Sequence, residues 1–252
     1  MNELELQGRT SLVTGGSRGI GRACCLSLAA AGAKVAVNYI SSEDAAREVV
    51  EQVEAAGGQA IACRADVSSP EQVRTMIDVV EEELGPVELL VNNAGVFDFV
   101  AHDQTSLEVW QRMLEVNLTG CYLTIWAVKE GMIRRNFGRI VNISSIAGLA
   151  ARPMSIAYSV SKAGVVSLTK SLAVAIAGHN VRVNAVAPGL IDTEIIADVD
   201  PGALEGLVEA TPMQRIGKAT EIAELVLFLL SERSSFMTGQ TLVASGGRVT
   251  LP

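Results

Sequence analysis

A chain of 252 residues, 49% apolar and 19% charged, is long enough to bury one sizeable α/β core. Its net charge of −8 argues against a general nucleic-acid binder, which needs clustered Lys and Arg, and against docking to an anionic membrane surface. Four cysteines without a C-x-x-C spacing and two distant histidines, His102 and His179, argue against a disulfide framework and against a metal site. The opening Met-Asn-Glu-Leu-Glu has neither a basic nor an apolar targeting region, and no uninterrupted apolar run approaches the ~20 residues of a membrane span. The expectation is a reduced, cytoplasmic protein.

In chain order, "TSLVT" (Thr10–Thr14) reads as a strand, followed by a helix from Ile20 to Ala31. "KVAVNY" (Lys34–Tyr39) leads into a helix that Ser42 can cap and that Gly57 and Gly58 stop. "QAIACRA" precedes a helix opened by Ser69 and Pro70, a cap and first-turn proline pair. "ELLVNN", a long helix from about Leu107 to Met132, "GRIVNIS", a helix from about Ile156 to Ala177, "VRVNAVA" and "QTLVA" follow. The alternation predicts seven parallel strands joined by right-handed crossovers, a Rossmann-like doubly wound sheet. "LLVNN" and "IVNIS" are apolar on both faces, as strands covered on each side by helices should be. With no linker or repeat, residues 1–252 read as one domain. Glu194–Met213, marked by Pro201, Gly202, Gly206 and Pro212, departs from the pattern and reads as a substrate lid.

The stretch Thr14-Gly15-Gly16-Ser17-Arg18-Gly19-Ile20-Gly21 lies where the first strand turns into the first helix. There backbone N–H groups and a helix N-terminus meet phosphate. The spacing differs from G-x-G-x-x-G, and a glycine triplet alone is weak evidence. Tyr158 and Lys162, four apart, share one helical face. Ser144 and Ser145 end one strand and Asn92–Gly95 follow another, at the edge of such sheets where ligands bind. Singly, each of these reads equally well as a turn or a surface pair.

Together they resemble the short-chain dehydrogenase/reductase family across essentially the whole chain. The motifs are Thr14-Gly15-x-x-x-Gly19-x-Gly21, Asp66, Asn92-Asn93-Ala94-Gly95, Asn117, Ser145, Tyr158-x-x-x-Lys162 and Pro188-Gly189. Ser145 stands thirteen residues before Tyr158, a family-like separation. One departure is Ser245-Gly246-Gly247, where the family often has Asp before the glycines.

The resemblance implies hydride transfer between a nicotinamide and a carbonyl or secondary alcohol, with the cofactor carrying the hydride. It implies Tyr158 as acid/base, Lys162 as the cation favouring phenolate and holding the nicotinamide ribose, Ser145 orienting the substrate oxygen, and Asn117 kinking its helix and holding a water. An unperturbed phenol near pKa 10 would have to drop by perhaps 2–3 units to serve near neutrality. Cofactor contacts implied are Gly15, Ser17, Arg18, Gly19, Ile20 and Gly21 at the pyrophosphate turn, with Asn38, Tyr39 and Ser41 after the second strand. Asp66, Val67, Asn93, Ala94 and Gly95 would line the adenine side, and Pro188, Gly189, Ile191 and Thr193 the nicotinamide.

No acid ends the second strand, which reads Asn38-Tyr39-Ile40-Ser41-Ser42, so NADP(H) is expected over NAD(H), with Arg18 meeting the extra phosphate. The resemblance is greatest to bacterial 3-oxoacyl-[acyl-carrier-protein] reductases. It implies a small carbonyl or acyl thioester substrate, with acyl carrier protein as a candidate partner and a homotetramer as the assembly. Phe97, Phe99, Leu149, Ala150, Ala151 and Met154 would wall an apolar pocket. Arg134 and Arg135 offer basic surface for a carrier protein, although the lid holds five acids and no base. The alternatives are an NAD-linked alcohol, sugar or steroid dehydrogenase and, less favoured, a catalytically silent nucleotide-binding regulator.

Overall fold

A computed structural model describes residues 5–194 and 200–250. Strand β1 (Thr10–Val13) passes through the glycine turn into α1 (Gly19–Ala30), followed by β2 (Lys34–Tyr39) and α2 (Glu43–Ala55). Next come β3 (Ala60–Arg64), α3 (Pro70–Glu83), β4 (Val87–Asn92), α4 (Leu107–Leu114) and α5 (Gly120–Arg135). Then follow β5 (Gly138–Ile143), α6 (Ile156–Ile176), β6 (Val181–Pro188), β7 (Ile191–Asp192) and α7 (Pro201–Glu209). The last elements are β8 (Gly217–Lys218), α8 (Ala219–Leu230) and β9 (Thr241–Ala244).

Seven strands form one parallel sheet in the order β3-β2-β1-β4-β5-β6-β9. The order reverses between β1 and β4, which opens a crevice at their carboxyl ends. Alternate strand residues feed two cores. Val35, Val37, Leu89 and Val91 pack with Cys24, Cys25 and Leu28 of α1 and with α2 and α8. Ala36 and Leu90 face the other way, onto α3, α5 and α6 through Ile77, Ile125 and Leu172. Within this double layer β4 and β5 carry a polar cross-link. Asn92 and Asn142 are paired in register, and Asn92 Nδ2 donates to Asn142 Oδ1 at 2.9 Å. Thr124 donates to Asn92 Oδ1 at 2.6 Å, and Asn142 donates to Thr169 at 2.9 Å. All four are buried and bonded, which avoids the roughly 1–3 kcal/mol cost of an unmet buried polar group.

The expected long helix Leu107–Met132 is broken by a π-helical turn, Glu115–Thr119, centred on Asn117. Ser69 caps α3 as expected, accepting the Gln72 amide at 3.4 Å, but the Ser42 side chain makes no cap bond. Glu43 and Asp44 instead put negative charge at the start of α2. A two-stranded ribbon pairs β7 with β8, beyond the seven strands expected. Within the expected lid, residues 195–199 lie outside the described residues. The remainder holds α7, whose Asp200 carboxylate accepts the Ala203 amide at 3.0 Å.

Ile156–His179 is long and apolar enough to cross a bilayer by length and composition. It buries Ser161, Lys162 and Thr169 in the fold and is a core helix. The four thiols are buried, and burial pushes Cys24 to about 12 and Cys63 and Cys121 to about 11.

Candidate active site

The crevice between β1 and β4 widens into a cleft of ≈ 620 Å³. One wall is the glycine turn with Gly15, Ser17, Arg18, Gly19 and Ile20, and Arg18 is exposed at the lip. The ends of β2 and β3 bring Asn38, Tyr39, Ser41, Asp66 and Val67, and the end of β4 brings Asn93, Ala94 and Gly95. The first turn of α1 has no side-chain cap and no acidic residue, so its N-terminus stays open to an anion. Gly19 has φ +52, and a Cβ there would lie 3.1 Å from Thr193 Cγ2 and 3.4 Å from Glu194 Oε2. Gly21 packs tighter still: a Cβ would stand 2.1 Å from the Gly15 carbonyl oxygen. These glycines let the turn pack closely on itself, and the uncapped start of α1, open to the cleft, fits a dinucleotide pyrophosphate.

Side chains hold this turn in place. Thr14 Oγ1 accepts the amides of Asn93 and Ala94, each at 3.0 Å. Asn93 Nδ2 donates to the carbonyls of Thr14 at 3.0 Å and Gly15 at 2.9 Å. Asp66 accepts from the amide and hydroxyl of Ser68, at 2.8 and 2.6 Å, fixing the turn after β3. Arg112, paired with Asp98 at 3.2 Å, also lines the cleft and was not anticipated.

The cleft runs into a smaller pocket of ≈ 140 Å³ that brings together Ser145, Tyr158, Lys162, Pro188, Gly189, Ile191 and Thr193. Lys162 is 4% exposed; its Nζ donates to the Ile143 carbonyl at 2.9 Å and lies 5.7 Å from the Tyr158 ring centre. Ser144 and Ser145 divide their work. Ser144 donates to the Lys162 carbonyl at 2.9 Å, while Ser145 accepts the Ala147 amide at 3.1 Å. Among the described residues the hydroxyl proton of Ser145 has no acceptor, which leaves it for a ligand.

Asn117 sits behind the pocket, fully buried. It accepts the Val96 amide at 2.8 Å and donates to the Val96 carbonyl at 2.9 Å and to Ser161 at 3.1 Å. It touches the loop that carries Phe97, and Phe97 stands edge-on to Tyr158 with ring centres 4.9 Å apart. Phe99 stacks edge-on to Phe97 in turn, at 5.0 Å. A further hollow of ≈ 650 Å³ beyond β7 holds, of the expected residues, Ile191 alone. Ser245 still organises the terminal loop: its hydroxyl bridges the Val249 amide and carbonyl, each at 3.1 Å, and the Gly246 carbonyl accepts the Met213 amide at 3.0 Å.

Arg134 and Arg135 do not join the site. They close the last turn of α5, roughly 24 Å along the helix from its start beside Asn117, and Arg135 is bonded to the Val87 carbonyl. Among the described residues no three His, Cys, Asp or Glu gather as a metal site.

Comparison with known proteins agrees with this geometry. A family model described as "Enoyl-(Acyl carrier protein) reductase" matches residues 15–248. A 3-oxoacyl-[acyl-carrier-protein] reductase of Synechocystis is 40% identical over 245 residues, covering 97% of this chain and 98% of that one. A 3beta-hydroxysteroid dehydrogenase 1 of Eggerthella lenta is 39% identical over 251 residues, covering 98% and 96%. The crystal structure of a Mycobacterium marinum short-chain type dehydrogenase/reductase superposes with a TM-score of 0.93 at 37% identity, over 99% of both chains.

Proposed function

Since the chain belongs to the short-chain dehydrogenase/reductase family of NAD(P)-dependent oxidoreductases acting on CH–OH and C=O groups, we propose that it is an NADP(H)-dependent carbonyl reductase of the 3-oxoacyl-[acyl-carrier-protein] reductase type. The observation that carries the reading is the convergence of Ser145, Tyr158 and Lys162 on one pocket that opens from the cleft of the glycine turn. Bound NADPH supplies the hydride.

Ser145 donates its free hydroxyl proton to the substrate carbonyl oxygen and turns that oxygen toward Tyr158. Tyr158 delivers the proton that completes the alcohol. Lys162, buried with its ammonium over the phenol ring, offsets the negative charge left on the Tyr158 oxygen. Asn117 holds the turn at Val96, and through it the Phe97 wall against Tyr158. Gly19 and Ile20 take the pyrophosphate at the open start of α1. Pro188, Gly189, Ile191 and Thr193 seat the nicotinamide.

The coenzyme preference rests on the exposed Arg18 and on the end of β2, where Asn38-Tyr39-Ile40-Ser41-Ser42 carries no carboxylate to repel a ribose phosphate. The test is kcat/KM with NADPH and NADH on 3-oxoacyl thioesters, in native protein and in Arg18→Ala. Native protein should prefer NADPH, and the variant should lose ~10- to 100-fold with NADPH while changing little with NADH. Equal losses, or a native preference for NADH, reject the assignment.

A hydroxysteroid or other hydrophobic-alcohol dehydrogenase is the second reading. It is favoured by Phe97, which lines the pocket edge-on to Tyr158 with Phe99 packed behind it, and by the Eggerthella lenta relative. Adding ketosteroids to the same assay separates the two.

Residues 194–213 act as the lid. The assembly is a homotetramer, supported by the exposed Tyr122, Trp126, Ile156 and Val160 on α5 and α6. Light scattering at micromolar concentration should give four times the 26.5 kDa chain mass.

A further inference from the structure

Asn38, the last residue but one of β2, lines the cleft at the point where the adenosine ribose is read in dinucleotide folds, yet it is 2% exposed and its side-chain amide is spent on main chain. Its Oδ1 accepts the Gly15 amide at 3.1 Å. Its Nδ2 donates to the carbonyls of Cys63 at 3.2 Å and Ala65 at 3.0 Å. Its own carbonyl accepts the Gly16 amide at 2.8 Å. One residue thus joins the glycine turn after β1 to the end of β3, the two walls between which an adenosine would lie.

We propose that Asn38 is a positioning residue for the coenzyme: its side-chain amide fixes the separation of these walls before a dinucleotide arrives. This rests on the dinucleotide reading given above. An amide in that place suits the task chemically. It offers an acceptor on one side and two donors on the other, whereas a carboxylate would face the Cys63 and Ala65 carbonyls with no proton to give.

A second consequence concerns the glycine turn. The amides of Gly15 and Gly16 are already engaged, so the pyrophosphate is held by amides further along, from Gly19 onward. Loss of the link leaves the turn free to move, and each binding event must then order it again. Because the side-chain amide is spent on main chain, that cost is the same for NADPH and NADH.

Coenzyme titration of Asn38→Ala by nicotinamide fluorescence tests this. The dissociation constants for both coenzymes should rise about 10-fold, with their ratio unchanged. A loss confined to NADPH would make Asn38 a reader of the phosphate and overturn the proposal. Unchanged affinities, or a fall in kcat alone, would overturn it as well.

Amide hydrogen exchange on native, coenzyme-free protein needs no variant. Gly15 and Gly16 should exchange as slowly as the amides of β1, and exchange at open-loop rates rejects the proposed link. Failure of native protein to bind either dinucleotide would reject the coenzyme reading instead, and the exchange result stands apart from it.

Discussion

Along the carboxyl edge of the sheet many polar groups face an open cleft, whereas the amino edge packs its charges against one another. At the amino edge Arg9 and Arg139 stack on Phe137, with guanidinium carbons 3.9 and 4.1 Å from its ring centre. Arg139 and Arg182, 2% and 6% exposed, share the Glu232 carboxylate at 2.9 and 3.3 Å, and Arg9 pairs with Glu88. Burial lowers the pKa of both inner arginines, and the bond to Arg139 leaves the Glu232 carboxyl low despite burial that raises it. Arg139 Nε and Arg182 Nε and Nη1 have no partner among the described residues, so Glu232 alone supplies the neutralising charge for two cations. The contrast teaches a division of labour: one edge turns polar groups toward a ligand cleft, and the other gathers its charges on Glu232 within the fold.

Substitutions at the two edges should separate along the same line. The largest effect belongs to Tyr158→Phe, which should cut turnover by at least ~10². Coenzyme affinity and the urea midpoint should hardly move, because the phenol oxygen makes no hydrogen bond among the described residues. A Phe variant that keeps most of its turnover would break the assignment of chemistry to this edge.

Glu232→Gln should do the reverse. Stripping the shared carboxylate from two buried guanidiniums costs several kcal/mol when the partner is itself buried; with Glu232 69% exposed, solvent reduces this to about 1–2 kcal/mol. Urea unfolding should report that loss while kcat at 25 °C stays native. A loss of turnover without loss of stability would erase the distinction.

The smallest effect tests an ion pair on the chemical edge. Arg215 bonds both oxygens of Glu221, at 2.6 and 2.8 Å, and the Lys218 amide donates to it at 2.8 Å. These hold its carboxyl at about 2, below the ordinary 4.5. A depressed carboxylate contributes stability that is complete above about pH 4.5 and is lost as pH falls through about 2. Carboxyl-resolved NMR should find Glu221 still ionised at pH 3, and Arg215→Ala should return it toward the ordinary value. A normal titration in native protein would remove the pair from the account.

Much of the chemical edge could be read in advance because its signals are local. Gly15, Gly19 and Gly21 mark a turn, Tyr158 and Lys162 share a helical face, and β-α alternation dictates the parallel sheet. What escaped depends on contacts distant in sequence. β7 and β8 are two residues each and carry no periodicity, so only their pairing defines them. Asn38 looks like a strand-end ribose reader, because alternation gives no sign that its amide would meet Gly15, Cys63 and Ala65. Phe97 reads as a pocket wall, but only the fold shows its ring edge-on to Tyr158. Arg134 and Arg135 look suited to carrier docking until α5 carries them to the opposite edge.

The cross-link of Asn92, Thr124, Asn142 and Thr169 constrains which sequences can reach this fold by single steps. Each member satisfies a neighbour, so changing Asn142 to leucine strands Asn92 Nδ2 and removes the donor to Thr169 at once, among residues that are all buried. An apolar set of the same volume would be tolerable, but the intermediates on the way to it are worse than either end. The four positions are therefore exchangeable only as a block. The apolar residues around them, such as Val91 and Val141, can be swapped one at a time for others of similar size. A designer has freedom at exposed positions such as Phe99 or Met154 and none at this lock, although it lies outside the pocket.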